Sequence, residues 1–214
     1  MRIRTIIAFA SSLPSLLGCS DEKQPSPGGA GSDGSAPATL ELQPFVYAEP
    51  ELPITLLHDG DPVELWHAPQ SGHVILIGAK VRGFHGARCT MPSTPSMCTV
   101  RIEASLRDPV SDEIVGTFER TAIMEVVPDD PEWMQNDRRT MSQVAHVPVC
   151  PKMGPGDVVG REHLLDVHVT ELYADFTEGF ATVRVVPTCL APDPTENALC
   201  VCECSENYSP GKCL

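Results

Sequence analysis

Side-chain alternation with a period of two constrains this chain more than any other feature. In "TVRIEASLR" (99–107), Val100, Ile102, Ala104 and Leu106 fall on one face and Thr99, Arg101, Glu103, Ser105 and Arg107 on the other. A helix cannot segregate such a pattern, whereas a strand with one face on a core must. "DPVSDE" (108–113) then reads as a turn and "IVGTFER" as the returning strand of a hairpin. "HVILIGAKV" (73–81) contains four consecutive apolar residues, as expected of a strand covered on both faces. "LLDVHVTEL" turns Leu165, Val167 and Val169 inward, and "FATVRVV" does the same with Ala181, Val183 and Val185. "QVAHVPV" is a further strand, limited by Pro148 to an edge or a strand end. No window shows a sustained 3.6-residue stripe. The pattern predicts an all-β chain whose residues 40–189 form a single antiparallel β-sandwich.

The segment "LDVHVTELYADFTEGFATVRVVP" resembles the last two strands of bacterial immunoglobulin-like domains, which read V-x-V-x-D-x-x-G-x-A-x-x-x-V. The turn is longer here, and the Cys–Trp–Cys core of that fold is not evident. The resemblance implies a sandwich rather than a barrel and carries no function with it.

The first eighteen residues, "MRIRTIIAFASSLPSLLG", place Arg2 and Arg4 before a thirteen-residue, mostly apolar run from Thr5 to Leu17. Such a run is too short for a permanent membrane span and has the plan of a secretory signal. Leu16-Leu17-Gly18-Cys19 resembles the lipobox of bacterial lipoproteins. That resemblance implies cleavage between Gly18 and Cys19 and acylation of Cys19, which would anchor the mature chain to a membrane through lipid. Ser20, rather than Asp, follows the lipid site. By analogy with the enterobacterial sorting rule, this favours the outer membrane. Residues 19–39 contain no large apolar side chain and abound in Gly, Ser and Pro, so a disordered tether is expected, spanning roughly 25 Å as a flexible coil.

Nine cysteines occur in all, and lipidation of Cys19 leaves eight: Cys89, Cys98, Cys150, Cys189, Cys200, Cys202, Cys204 and Cys213. An even number in an oxidising compartment reads as disulfides. Cys89 and Cys98 bracket "TMPSTPSM" between two strands and suit a loop-closing bridge. Cys150 and Cys189 end strands, and each has either the other or the tail (190–214) as its partner. Cys202-x-Cys204, Asn207-Tyr208 and Cys213 resemble the closing half of an EGF-like module, although Asn207 replaces the usual Gly or Pro and the upstream cysteines are missing. The alternative is a thiolate cluster for Cu(I) or Zn²⁺. Disulfides rank ahead of it, because no histidine lies within thirty residues of the cluster.

Removing residues 1–18 takes away two arginines and no acid, leaving 13 basic and 29 acidic residues and a formal charge of −16. Such a surface repels phosphate backbones, which argues against nucleic acid as a partner. The acidic stretches "HDGDPVE" (58–64) and "PDDPEW" (128–133) lack the spacing of a calcium loop and read as solvated turns.

Histidines 58, 67, 73, 85, 146, 163 and 168 fall in no metal-ligand spacing, although His146 and His168 could meet across a sheet. Carboxylates such as Asp129 and Asp130 sit in a proline-flanked turn, and no nucleophile or nucleotide motif occurs. Trp66, read as a core strand residue, and Trp133, read as a loop residue, could instead form a stacking platform for sugar rings. The sequence therefore points to a lipid-anchored envelope protein without catalytic residues or cofactor. It would act as a binding or structural module for a protein or glycan, with metal handling second and a small hydrolase last.

Overall fold

The computed structural model describes residues 39–47, 54–69, 72–84, 98–136, 141–151, 158–172, 177–191 and 193–213. The expected signal, Cys19, the expected tether as far as residue 38, His85 and Cys89 with the residues up to 97 lie outside them. The strands are β1 (Glu41–Val46), β2 (Thr55–Leu56), β3 (Asp61–Glu64), β4 (Trp66–His67), β5 (His73–Arg82), β6 (Thr99–Arg107), β7 (Ile114–Val127), β8 (Asp130–Asn136), β9 (Ala145–Cys150), β10 (His163–Glu171) and β11 (Glu178–Thr188). A 3-10 turn, Met141–Gln143, precedes β9, and one helix, α1 (Pro194–Glu203), follows β11.

The strands join in a single sheet of order β2-β1-β5-β8-β7-β6-β10-β11-β3, with β4 and β9 also bonded to β5. Every pairing is antiparallel except that of β3 with β11. The all-β class expected from the alternation is the one observed; the strands depart from the expected antiparallel sandwich in the one parallel pair and in joining as one sheet instead of two. The ladder is continuous because β7 is long: its first ten residues run beside β6, and Met124–Val127 then pair with β8. An isolated parallel bridge between Thr39 and Glu178 ties the entry to β1 to the start of β11.

Register explains the core. Leu106 lies opposite Leu165, Ala104 opposite Val167 and Ile102 opposite Val169, so the inward residues of β6 and β10 meet directly. All six are buried, in one cluster with Ile75, Ile77, Ala79 and Val81 of β5 and Ala145, Val147 and Val149 of β9. The outward face of the same strands is ionic, with the Arg107 guanidinium held by Asp166 and Asp112, and Thr182 donating to Asp166 at 2.6 Å.

β5 is buried on both faces, as its unbroken apolar run predicts. It pairs with β8 at Lys80–Arg82 and with β9 at His73–Ile77, which leaves a gap between them. Asn136 fills it: its Oδ1 accepts from Ala79 N–H at 2.7 Å and its Nδ2 donates to Gln143 O at 2.8 Å. A fully buried amide thus replaces the ladder bonds that the change of neighbour removes.

Two sequence readings are corrected here. Trp133 is a strand residue, on β8 and buried, with Lys80 and Arg82 each 4.8 Å from its ring centre. Only Pro128 and Asp129 turn; the stretch after them, although acidic and proline-containing, finds a partner in β7 and extends as β8. A helix is also present where none was expected. Its start is legible in "DPTEN": Asp193 caps it by accepting from Thr195 N–H at 2.7 Å, and Pro194 opens the first turn. That backbone hydrogen bond holds the Asp193 carboxyl below its ordinary range. The apolar stripe is missing because the helix buries a cysteine, Cys200, in place of an aliphatic residue.

Gly116 of β7 gives a test of this packing. A Cβ there would overlap the carbonyl oxygen of Pro148 on β9, and backbone cannot step aside as a flexible side chain can. Gly116→Ala is expected to lower the unfolding free energy in urea by about 1–3 kcal/mol. An unchanged midpoint would contradict this contact.

Candidate functional site

β3 bonds to the end of β11, and β4, only one residue later, bonds to the start of β5. The intervening Leu65 is buried and donates its N–H to Thr188 O at 2.9 Å, which fixes the crossing. Glu64, Trp66 and His67 on either side of Leu65 enter a cavity of about 470 Å³. A second wall comes from Val46 and Tyr47 at the end of β1, with His73 and Leu76 of β5. Leu190, Ala191, Glu196 and Cys200 close it from the segment after β11 and from α1.

Disulfides hold that last wall in place. Cys150, which ends β9, is bonded to Cys204, and Cys189, just past β11, to Cys200. Cys202 is bonded to Cys213 within the tail. Both strand-end cysteines therefore pair with the tail rather than with each other. In the chain-entropy model, cross-links at sequence separations of 54 and 11 stabilise by about 4 and 3 kcal/mol respectively. Cys98 is also disulfide-bonded.

The sulfurs of Cys150 and Cys204 lie within 4.8 Å of a ring nitrogen of His73. As a disulfide they offer no thiolate to an ion, and thiolate is the form that binds soft metals. His73 itself is 2% exposed, with Nδ1 3.1 Å from Glu203 Oε2 of α1. Burial lowers its pKa, and the nearby Glu203 carboxylate only partly offsets this. The ring is accordingly kept neutral at neutral pH.

At the mouth, the Trp66 and Tyr47 rings meet edge to face, with centroids 5.7 Å apart and planes at 75°. Glu64, two residues before Trp66, also lines the cavity, and its partial burial raises its pKa. Trp66 is thus a half-buried cavity residue on a two-residue strand, and Trp133, on β8, does not line the cavity. No flat two-tryptophan platform forms.

The remaining candidate residues have structural partners. Asp61 accepts from His58 N–H at 2.8 Å and Asp59 from Arg184 N–H at 2.8 Å, so the acids of "HDGDPVE" shape the turn before β3. Asp130 lies 3.2 Å from Lys80. His146 stacks on Phe118, whereas His168 lies 3.6 Å from Glu103 and 3.2 Å from Glu178; the two histidines have separate partners. His163 is buried, with Nδ1 3.0 Å from Arg161 O. Sequence reasoning overlooked Tyr47, Glu64 and Glu196 as cavity residues. The mix of acidic, aromatic and imidazole side chains in "PVELWH" (62–67) is a local signal for Glu64 alone; nothing near Tyr47 or Glu196 in the sequence marks them.

Comparison with protein-family models and with curated proteins gives no match.

His73 generates a prediction with a definite sign. Its folded pKa lies below the 6.5 of the free side chain, so the unfolded chain takes up its proton first as pH falls. Stability from the neutral buried ring is fully present above that value and is lost progressively below it. The difference in unfolding free energy between wild type and His73→Gln should therefore narrow from pH 7 to pH 5. Urea titrations at each pH measure it, and a constant or widening difference would refute the assignment.

Proposed function

We propose that this chain is a lipid-anchored protein of the cell envelope whose β-domain is a non-catalytic binding module, with the cavity beneath α1 as its binding site. The anchor rests on the resemblance of Leu16-Leu17-Gly18-Cys19 to a lipobox and on the apolar run before it. The location agrees with a domain whose cysteines are oxidised, since disulfides persist outside the cytosol.

One observation carries the binding half of the reading: a concave site of small-molecule size, with aromatic and aliphatic walls and a few convergent polar groups, sits where a disulfide-pinned helix meets the sheet. Preorganised walls reduce the ordering entropy that a ligand must overcome. Among the described lining residues there is no serine and no free thiol, and the hydroxyls are those of Thr55 and Tyr47.

Two measurements test this. The intact mass of protein purified from membranes should correspond to a chain beginning at acylated Cys19, with all eight remaining cysteines oxidised. Cys19→Ala should leave the protein uncleaved. A chain retaining residues 1–18, without fatty acid and with reduced thiols, would overturn the location. For the cavity, an NMR screen of small cations, sugars and amino acids should shift the Trp66 indole signal; a screen that shifts nothing there would overturn the binding role.

A further inference from the structure

Charge and ring geometry at the cavity narrow the ligand class. Glu64 and Glu196 both line it, and among the described residues no lysine or arginine does. Among the described residues neither carboxylate has an ion pair, whereas Arg82, Arg101, Arg107, Arg161 and Arg184 are all engaged with acids elsewhere on the surface. Of the two histidines in the lining, His73 adds little opposing charge, because burial keeps it neutral and Glu203 already faces it, and His67 lies exposed beside it. Among the described residues, the lining thus includes two carboxylates and no permanent cation.

Its aromatic corner points the same way. Trp66 and Tyr47 both line the cavity, and an aromatic face is an electron-rich surface that suits a compact cation. A sugar instead needs a flat face and a fan of hydrogen-bonding groups. An anion would meet two carboxylates and no compensating charge. A hard divalent ion requires six or more oxygen ligands, which a mainly apolar lining with two carboxylates does not supply. A formal charge of −16 on the mature chain further concentrates cations near the mouth.

We propose that the cavity binds an alkylammonium ion, its charged head between Glu64 and the Trp66–Tyr47 corner and its apolar chain along Leu65, Leu76 and Leu190. This inference rests on the binding role proposed above and specifies its ligand. Partial burial of Glu64 without a counter-charge supports it, because an incoming ammonium supplies what the site lacks and draws the carboxyl pKa back down. Binding should accordingly release protons at mildly acidic pH.

The test uses matched probes on the intact mature protein. The two indole N–H signals report on Trp66 and Trp133 separately, and Trp66→Phe assigns them. Choline, n-butylammonium and Nα-acetyl-lysine amide are titrated beside 3,3-dimethylbutanol, the uncharged isostere of choline, and glucose. The ammonium probes should shift the Trp66 signal, and the isostere should bind about tenfold more weakly or not at all. Choline or butylammonium binding alone indicates a free small ammonium compound as the ligand, and binding of the lysine amide as well extends it to protein side chains. Glu64→Gln should weaken ammonium binding by about tenfold. Glu132→Gln, on an exposed residue of β8 outside the cavity, should leave it unchanged. Retained signal dispersion establishes that each variant is folded. Equal binding of the isostere, or full affinity in Glu64→Gln, would overturn the cation assignment while leaving the cavity a binding site. Silence of the Trp66 signal toward every probe would overturn both.

Discussion

Covering both faces of β5 is the constraint from which the rest of the molecule follows. One face is solved by the shared core, where β6, β9 and β10 pack their alternating residues against Ile75, Ile77, Ala79 and Val81. The other face carries Leu76 and Gly78. Gly78 meets the Phe45 ring so closely that no side chain fits. Leu76 is left to the β3–β4 crossing and the segment after β11, while His73, at the start of the strand, meets Glu203 of the tail. A cavity arises there because short connections cover a flat strand less completely than a sheet does.

The tail covers that face without an apolar stripe of its own. A ten-residue helix burying a single residue gains little from the hydrophobic effect and would be marginal in isolation. Two cross-links to the ends of β9 and β11 supply what its sequence lacks. The same economy is visible at Asn136, where one buried amide lets two strands share the same flank of β5. In both places a specific bond substitutes for extended packing.

The long alternating segments were legible because their side chains report burial directly: Val100, Ile102, Ala104 and Leu106 are all inside, as their spacing requires. β2, β3 and β4 were not, since strands of two to four residues hold too few positions to show a period. β8 was obscured by its acids and Pro131, which an exposed strand surface tolerates but a local reading assigns to a turn. Trp133 was misplaced for the same reason. The cavity was the least legible feature. Its walls come from residues near positions 46, 65, 75 and 195, and nothing local in the sequence signals that these converge.

The order of the chain gives the helix wall one more consequence. α1 follows every described strand in the sequence, so the sheet can pair while its recess still lacks a side. Completion of the recess is then a late event, gated by sulfur oxidation rather than by the collapse of the strands. A chain caught before that oxidation would carry the sheet of the folded protein without its closed pocket.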